Sequence, residues 1–400
     1  MSLSKGLEAI ASIGRDSRTG GYRRFAWSDA DLELREWFAG EAAARGMEVD
    51  EDGNGNQVAW TRRGPDALLL GSHLDSVPDG GAFDGPLGVV SAFAALDRMG
   101  LDRMGLDRVR TTRPVAIASF ADEEGARFGI ACAGSQLATG ALAPDRALAL
   151  KDDDGVTMAE AMTRAGRDPR DVGRADWLDD VGTFVELHVE QGRHLVHTGD
   201  AVGVATAIWP HGRWRLDFRG TADHAGATRM EDRRDPMLTH AATVLAARRL
   251  ATEGDLRATF GRVDVEPGGT NAIPSRVRAW LDARAATEEE LGRLVDGIVA
   301  EATQAAAADR TDVELTAESV SPAVTFDVRL RDRLATLLDA PVLPTGAGHD
   351  AGVLSRHLPT AMLFVRNPTG VSHSPAEHAE ESDCAAGVDA LARVVKTLAS

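Results

Sequence analysis

Four short segments of this chain put imidazoles and carboxylates where apolar runs end. "ALLLGSH" ends on His73, and the loop after it, rich in glycine and proline, carries Asp75, Asp79 and Asp84. "VAIASFA" runs into "DEEG", with Glu123 and Glu124 side by side. "FVELHVEQG" holds His188, and "AMLFVRNPTGVSHSPAEH" holds His373. A lone histidine is usually structural, and a lone Asp in a glycine loop is usually a turn residue. Recurrence after four such runs needs another explanation. Imidazoles and carboxylates without thiolate suit a borderline cation such as Zn²⁺, with Mn²⁺, Co²⁺ or Ni²⁺ able to substitute. Two ions sharing one carboxylate make economical use of such a set, and Asp84 in its loop is the natural bridge. Asp75 follows His73 closely enough to hold the ring's other N–H and fix its tautomer. Adjacent Glu123 and Glu124 diverge, so one can ligate while the other overhangs a water whose pKa the metals lower towards about 7. That chemistry is hydrolysis.

The elements that position these groups alternate. Short apolar strands bounded by Gly, Pro or Asp are separated by helical stretches such as 87–99, which predicts an α/β fold: a mostly parallel mixed sheet with helices on both faces. Ligands of such a sheet collect beyond the carboxyl ends of its strands, where the four segments lie. From 203 to 317 the texture changes to alternating strands, "HGRWRLDFRG" and "SRVRAWLDARA", and two amphipathic helices. This predicts an inserted α+β domain with a four-stranded antiparallel sheet, flanked by the two parts of the first domain at 1–202 and 318–400.

Lys and Arg number 44 against 62 Asp and Glu, a net charge of −18 spread along the chain. That field repels nucleic acid and anionic membranes. Two cysteines, Cys132 and Cys384, make no disulfide framework and no zinc knuckle, and no stretch has the pattern of a signal peptide or membrane span, so a cytoplasmic location is expected. "LDRMGLDRMGLDR" repeats a five-residue unit; five residues turn a helix by about 500°, so its copies share no face. It reads as a local duplication lengthening a helix end or loop.

"GSHLDSV", "GGAFDGPLGV", "ADEEGARFG", "ELHVEQG", "DHAGATRM", "GGTNAIP", "GAGHDA" and "GVSHSPAE" occur in order along nearly the whole chain. Together they resemble the amidase/hydantoinase/carbamoylase branch of the M20 metallopeptidase clan, whose members include allantoate and N-carbamoyl-L-amino-acid amidohydrolases. The resemblance implies a zinc-peptidase-like catalytic domain with an inserted lid through which subunits form a homodimer. It makes His73, Asp84 and His188 ligands of one metal, Asp84, Glu124 and His373 ligands of the other, and Glu123 the general base. It also gives His224 the role of polarising the scissile carbonyl from the partner subunit, and makes Asn271 and Arg284 the pair that grips a substrate carboxylate. Gly348 and His349 would line the pocket.

The chain departs from the branch's usual pattern at three points. His211 stands where a substrate-contacting Gln is expected, Arg229 replaces a turn proline, and Arg366 stands where Pro is common. The expected reaction is cleavage of a ureido C–N bond in a small carboxylate substrate, allantoate first and an N-carbamoyl-L-amino acid second. A dipeptidase or aminoacylase of the wider clan is the alternative, and a non-catalytic binding relative would be expected to have lost Glu123 or a ligand.

Overall fold

The computed structural model describes residues 2–100 and 111–400. Most of the repeated "LDRMG" unit falls at 101–110, outside the described residues. The chain forms two compact units, Met1–Ala207 with Thr325–Ser400, and Ile208–Val324.

The larger unit begins with β1 (Glu48–Glu51), β2 (Gln57–Trp60), β3 (Ala67–His73), β4 (Val115–Phe120), β5 (Val181–Val189) and β6 (Val202–Ile208). The smaller unit supplies β7 (His211–Arg219), β8 (Asp223–His224), β9 (Arg257–Glu266), β10 (Ala272–Ile273), β11 (Arg276–Arg284) and β12 (Asp312–Ser321). The chain then returns through β13 (Val324–Thr325), β14 (Val342–Thr345) and β15 (Thr360–Val365).

The large sheet runs β1-β2-β4-β3-β5-β15-β6-β13, with β14 also on β6. Its four central strands, β4, β3, β5 and β15, are mutually parallel. Antiparallel β2 and β6 flank them. Every residue of β3, β4 and β15 is buried, as strands covered on both faces must be. Leu68 and Leu70 of β3 share a core with Phe38 of helix Asp29–Ala43, Phe93 of helix Pro86–Arg98 and Leu391 of helix Glu381–Leu398. Truncating such a leucine to alanine costs about 2–5 kcal/mol.

The smaller unit is a four-stranded antiparallel sheet in the order β12-β7-β11-β9. Burial alternates strictly along β11, so one face meets the core while the other is left more open. Helices Pro236–Glu253 and Glu288–Asp309 pack together and against this sheet. Their N-caps are Asp235, accepting from Met237 N, and Thr287, accepting from Glu290 N. The boundary expected after Ala317 falls inside β12, which continues to Ser321. A register shift between Ala317 and Ser319 breaks the alternation there, which is why the strand reads as ending early.

Candidate metal centre

The ends of β3, β4, β5 and β15 open onto one cluster. Asp84 is its hub. Its Oδ1 lies 3.1 Å from His188 Nε2 and 3.9 Å from His73 Nε2. Its Oδ2 lies 3.4 Å from His373 Nε2, and that nitrogen is 3.5 Å from Glu124 Oε2. Two groups of possible ligand atoms therefore share Asp84: His73, Asp84 and His188, and Asp84, Glu124 and His373.

The tautomers follow from the backbone. His73 Nδ1 is 3.2 Å from the Asp75 carbonyl oxygen, and His188 Nδ1 is 2.9 Å from that of Val189. A carbonyl only accepts, so each Nδ1 carries a proton, and Nε2, facing Asp84, is the nitrogen left to ligate when the ring is neutral. Both Nε2 atoms are buried and without a hydrogen bond, as is Glu124 Oε1. Buried, unpartnered acceptors converging from both sides on one carboxylate fit a pair of divalent cations, which would satisfy all of them.

Local sequence explains the placement. Gly85 has φ +86°, and a Cβ there would sit 2.5 Å from the His73 ring, so only glycine lets the Asp84 loop lie against its neighbour. The Asp75 carboxylate accepts from the backbone N–H of Glu123 and of Glu124, each at 3.1 Å. Its Oδ1 also lies 3.4 Å from His73 Nδ1, so Asp75 ties the "DEEG" turn to the histidine.

Electrostatics match the crowding. Burial raises Asp84, but His188, with His73 and His373 behind it, outweighs burial and holds the carboxyl well below its usual range. Glu124 is pushed up to about 8 by burial and then by the Asp84 charge. Glu123 is raised well above its ordinary value, first by burial, against the pull of His73. Its Oε2 lies 3.7 Å from His73 Nε2.

His349 is buried with its ring 4.5 Å from that of His188, and burial lowers it well below its ordinary value. Gly348 beside it is exposed. Glu186, His188 and His349 form a third group of possible ligand atoms. Glu186 is already occupied, accepting from Ser72 Oγ at 2.7 Å and from Ala351 N at 3.0 Å, so that group is the weaker candidate.

The smaller unit keeps its residues in two separate places. β8 pairs with β10 so that His224 faces Ala272, and Ala225 N donates to the Asn271 carbonyl at 3.0 Å. His224 and Asn271 thus sit together, both exposed. Gly226 N and Ala227 N donate to His224 Nδ1 at 3.0 and 3.1 Å. The neutral ring then carries its proton on Nε2. Arg284 instead pairs in register with His211 at the far end of β11. At roughly 3.3 Å per residue, β11 alone separates its ends by about 26 Å. Within one chain, then, Asn271 and Arg284 cannot close on one carboxylate. The Arg284 guanidinium is held by Asp282, with Nε to Oδ1 at 2.8 Å. His211 is lowered by burial, and the Arg284 charge adds to that.

Arg366 makes a two-pronged bond with Asp383 at 2.8 and 2.7 Å, and Arg229 pairs with Glu231 on the surface. Two of the three departures from the branch's pattern are thus engaged in local ion pairs. Glu377 escaped the sequence reading. Its Oε1 accepts from Phe83 N and Asp84 N, and its Oε2 lies 3.1 Å from Ser372 Oγ, itself 3.0 Å from Asp84 Oδ2. The only signal was an acid four residues after His373 in a quoted motif.

Residues 69–397 match the model of peptidase family M20/M25/M40. The chain is 37% identical over 405 residues to N-carbamoyl-L-amino acid amidohydrolase of Geobacillus stearothermophilus, covering 98% of this chain and 97% of that one. It is 31% identical to allantoate amidohydrolase of Bacillus subtilis, covering 100% and 97%. Among solved structures, an amidase of the hydantoinase/carbamoylase family from Burkholderia vietnamiensis superposes with a TM-score of 0.87 at 29% identity, covering 99% and 96%. The chain belongs to peptidase family M20/M25/M40, in its amidase/hydantoinase/carbamoylase branch.

Proposed function

We propose that this chain is a metal-dependent amidohydrolase that cleaves the ureido C–N bond of a small carboxylate substrate, with allantoate the first choice and an N-carbamoyl-L-amino acid the second. The observation that carries the reading is the division of Asp84 between His73 and His188 on one oxygen and His373, beside Glu124, on the other. Those residues would hold two divalent cations per subunit, Zn²⁺ or Mn²⁺, Co²⁺ or Ni²⁺, which supply activation of water and polarisation of the scissile carbonyl.

The chain's own residues do the rest. Glu123, buried beside His73, takes the proton of the attacking water and returns it to the departing nitrogen. His224, its proton on Nε2, donates to the oxygen on which negative charge develops. Arg284 forks the substrate carboxylate and Asn271 donates to it. Because Asn271 lies beside β10 and Arg284 at the far end of β11, one working site takes His224 and Asn271 from one lid and Arg284, with His211, from another. The assembly is then a homodimer formed through the lid, the unit 208–324. His349 and Gly348 line the pocket beside His188. Two buried free cysteines suit the reducing cytoplasm.

The test is product analysis with the metal-loaded protein. Ammonia release from allantoate or from N-carbamoyl-L-amino acids is expected; release of amino acids from dipeptides, without ammonia, would replace this reading with the peptidase alternative.

A further inference from the structure

Among the described residues, the Glu123 carboxylate receives one side-chain hydrogen bond, and its donor is a thiol. Cys132 Sγ lies 3.4 Å from Glu123 Oε1. The backbones on either side are laced together: Cys132 N donates to Glu123 O at 2.6 Å, Ala133 N to Asp122 O at 3.0 Å, and Gly134 N to Ala121 O at 2.9 Å. Cys132 holds this position in the left-handed region, at φ +53°, which residues other than glycine rarely adopt. Burial, with the charges of Glu123 and Asp350 behind it, pushes the thiol well above its ordinary value. The thiol keeps its proton, and Sγ is the donor of this contact.

Buried cysteine ordinarily serves as a small apolar filler. Here the geometry points to more. We infer that Cys132 is a positioning residue for the proposed reaction: its S–H holds Glu123 Oε1, so that Oε2, on the side of His73 Nε2, is the oxygen presented to the proton it must take. The inference rests on the reading of Glu123 as the base. Nothing in the sequence marked it, because the nine-residue separation of Cys132 from Glu123 matches no helical or strand repeat.

The direct test is the S–H stretch in the infrared, where the chain's second cysteine, Cys384, supplies an internal reference. Cys132→Ala removes one of the two bands and so assigns it. In Glu123→Gln that band should move to higher wavenumber, because an amide oxygen is a weaker acceptor than a carboxylate. In turnover, Cys132→Ala should lower kcat about tenfold through misorientation of the base, with KM and metal content unchanged. Cys132→Ser, which keeps a donor, should recover most of the loss. If both S–H bands keep their positions between wild type and Glu123→Gln, the hydrogen bond is overturned, and this needs no assignment, so it holds even where Cys132→Ala fails to fold. Turnover of Cys132→Ala within about twofold of wild type overturns the positioning role. Near-normal turnover of Glu123→Gln sinks the base reading and this one with it, and is told apart because the band shift persists.

Discussion

In the larger unit buried His73 lies 3.9 Å from Asp84 and 3.7 Å from Glu123, and Asp84 lies 3.1 Å from His188, whereas in the smaller unit His224 and Asn271 are exposed and a strand's length from Arg284. The first arrangement is complete in one chain. Its groups perturb each other strongly, as the displaced Asp84, Glu123 and Glu124 show. The second is split: His224 and Asn271 sit together beside β8 and β10, and Arg284 lies at the far end of β11, held by Asp282. The larger unit gathers its groups at one point, whereas the smaller spreads them over separate places. Breaking either region should leave a different signature.

The largest effect is expected in the buried cluster. Chelation should abolish activity, and Mn²⁺, Co²⁺ or Zn²⁺ should restore it; metal analysis giving clearly fewer than two ions per chain in an active preparation would defeat the paired-site reading. Glu123→Gln should retain metals and fold while losing about 10²–10⁴ in kcat. Retained turnover in that variant would take the base role from Glu123.

Next comes the exposed pair. His224→Ala should lower kcat about 10²–10³-fold, the usual loss of one oxyanion donor. Because His224 and Arg284 lie far apart in one chain, mixing subunits tests which chain each serves. Assayed well below the wild-type KM, where both parents are weak, His224→Ala chains exchanged with Arg284→Ala chains should give mixed dimers with one intact site, recovering about a quarter of wild-type activity at random pairing. No recovery after proven exchange would mean that both residues serve the same site from the same chain. Arg284→Ala alone should raise KM by about tenfold or more for the acid and far less for its amide or ester. Equal penalties on both substrates would make Arg284 structural.

The two regions also differed in how far residues alone revealed them. His73, Asp84, Glu123, Glu124, His188 and His373 follow buried strands, so strand patterning and the rule that sites form at carboxyl ends brought them together on paper as they are in the fold. No pattern marks Arg284 among the arginines of β11, because its alternation records burial and not what an exposed guanidinium contacts. The separation of Asn271 from Arg284 needed strand register, which depends on pairing partners distant in sequence. Glu377 and Cys132 act through contacts across loops, and loops have no period to read.

The smallest effect expected is a difference of slope. In the metal-free larger unit Glu124 is raised from its ordinary 4.5 to about 8, by burial first and the Asp84 charge second. As pH rises, the unfolded chain ionises first, so between about 4.5 and about 8 the folded chain holds the extra proton and stability falls. His73 and His188 act in the same sense. Burial opposes their charge, but Glu123 for one and Asp84 for the other raise them, and a raised histidine loses its contribution as pH climbs through the folded value. In the smaller unit His240 lies edge-on between Phe218 and Phe260, and burial lowers it from 6.5. There the unfolded chain takes the proton first as pH falls, so stability is lost below about 6.5. Hydrogen exchange on the chelated protein, corrected for the intrinsic rate, should show protection of β3 and β5 declining from pH 5 to 8 while helix Pro236–Glu253 gains. Loading the metals should flatten the first slope, since cations compensate the crowded carboxylates, and leave the second untouched. Parallel slopes in both units, or a metal response confined to the smaller one, would undo the contrast between a unit crowded with opposed charge and one in which burial lowers His211 and His240.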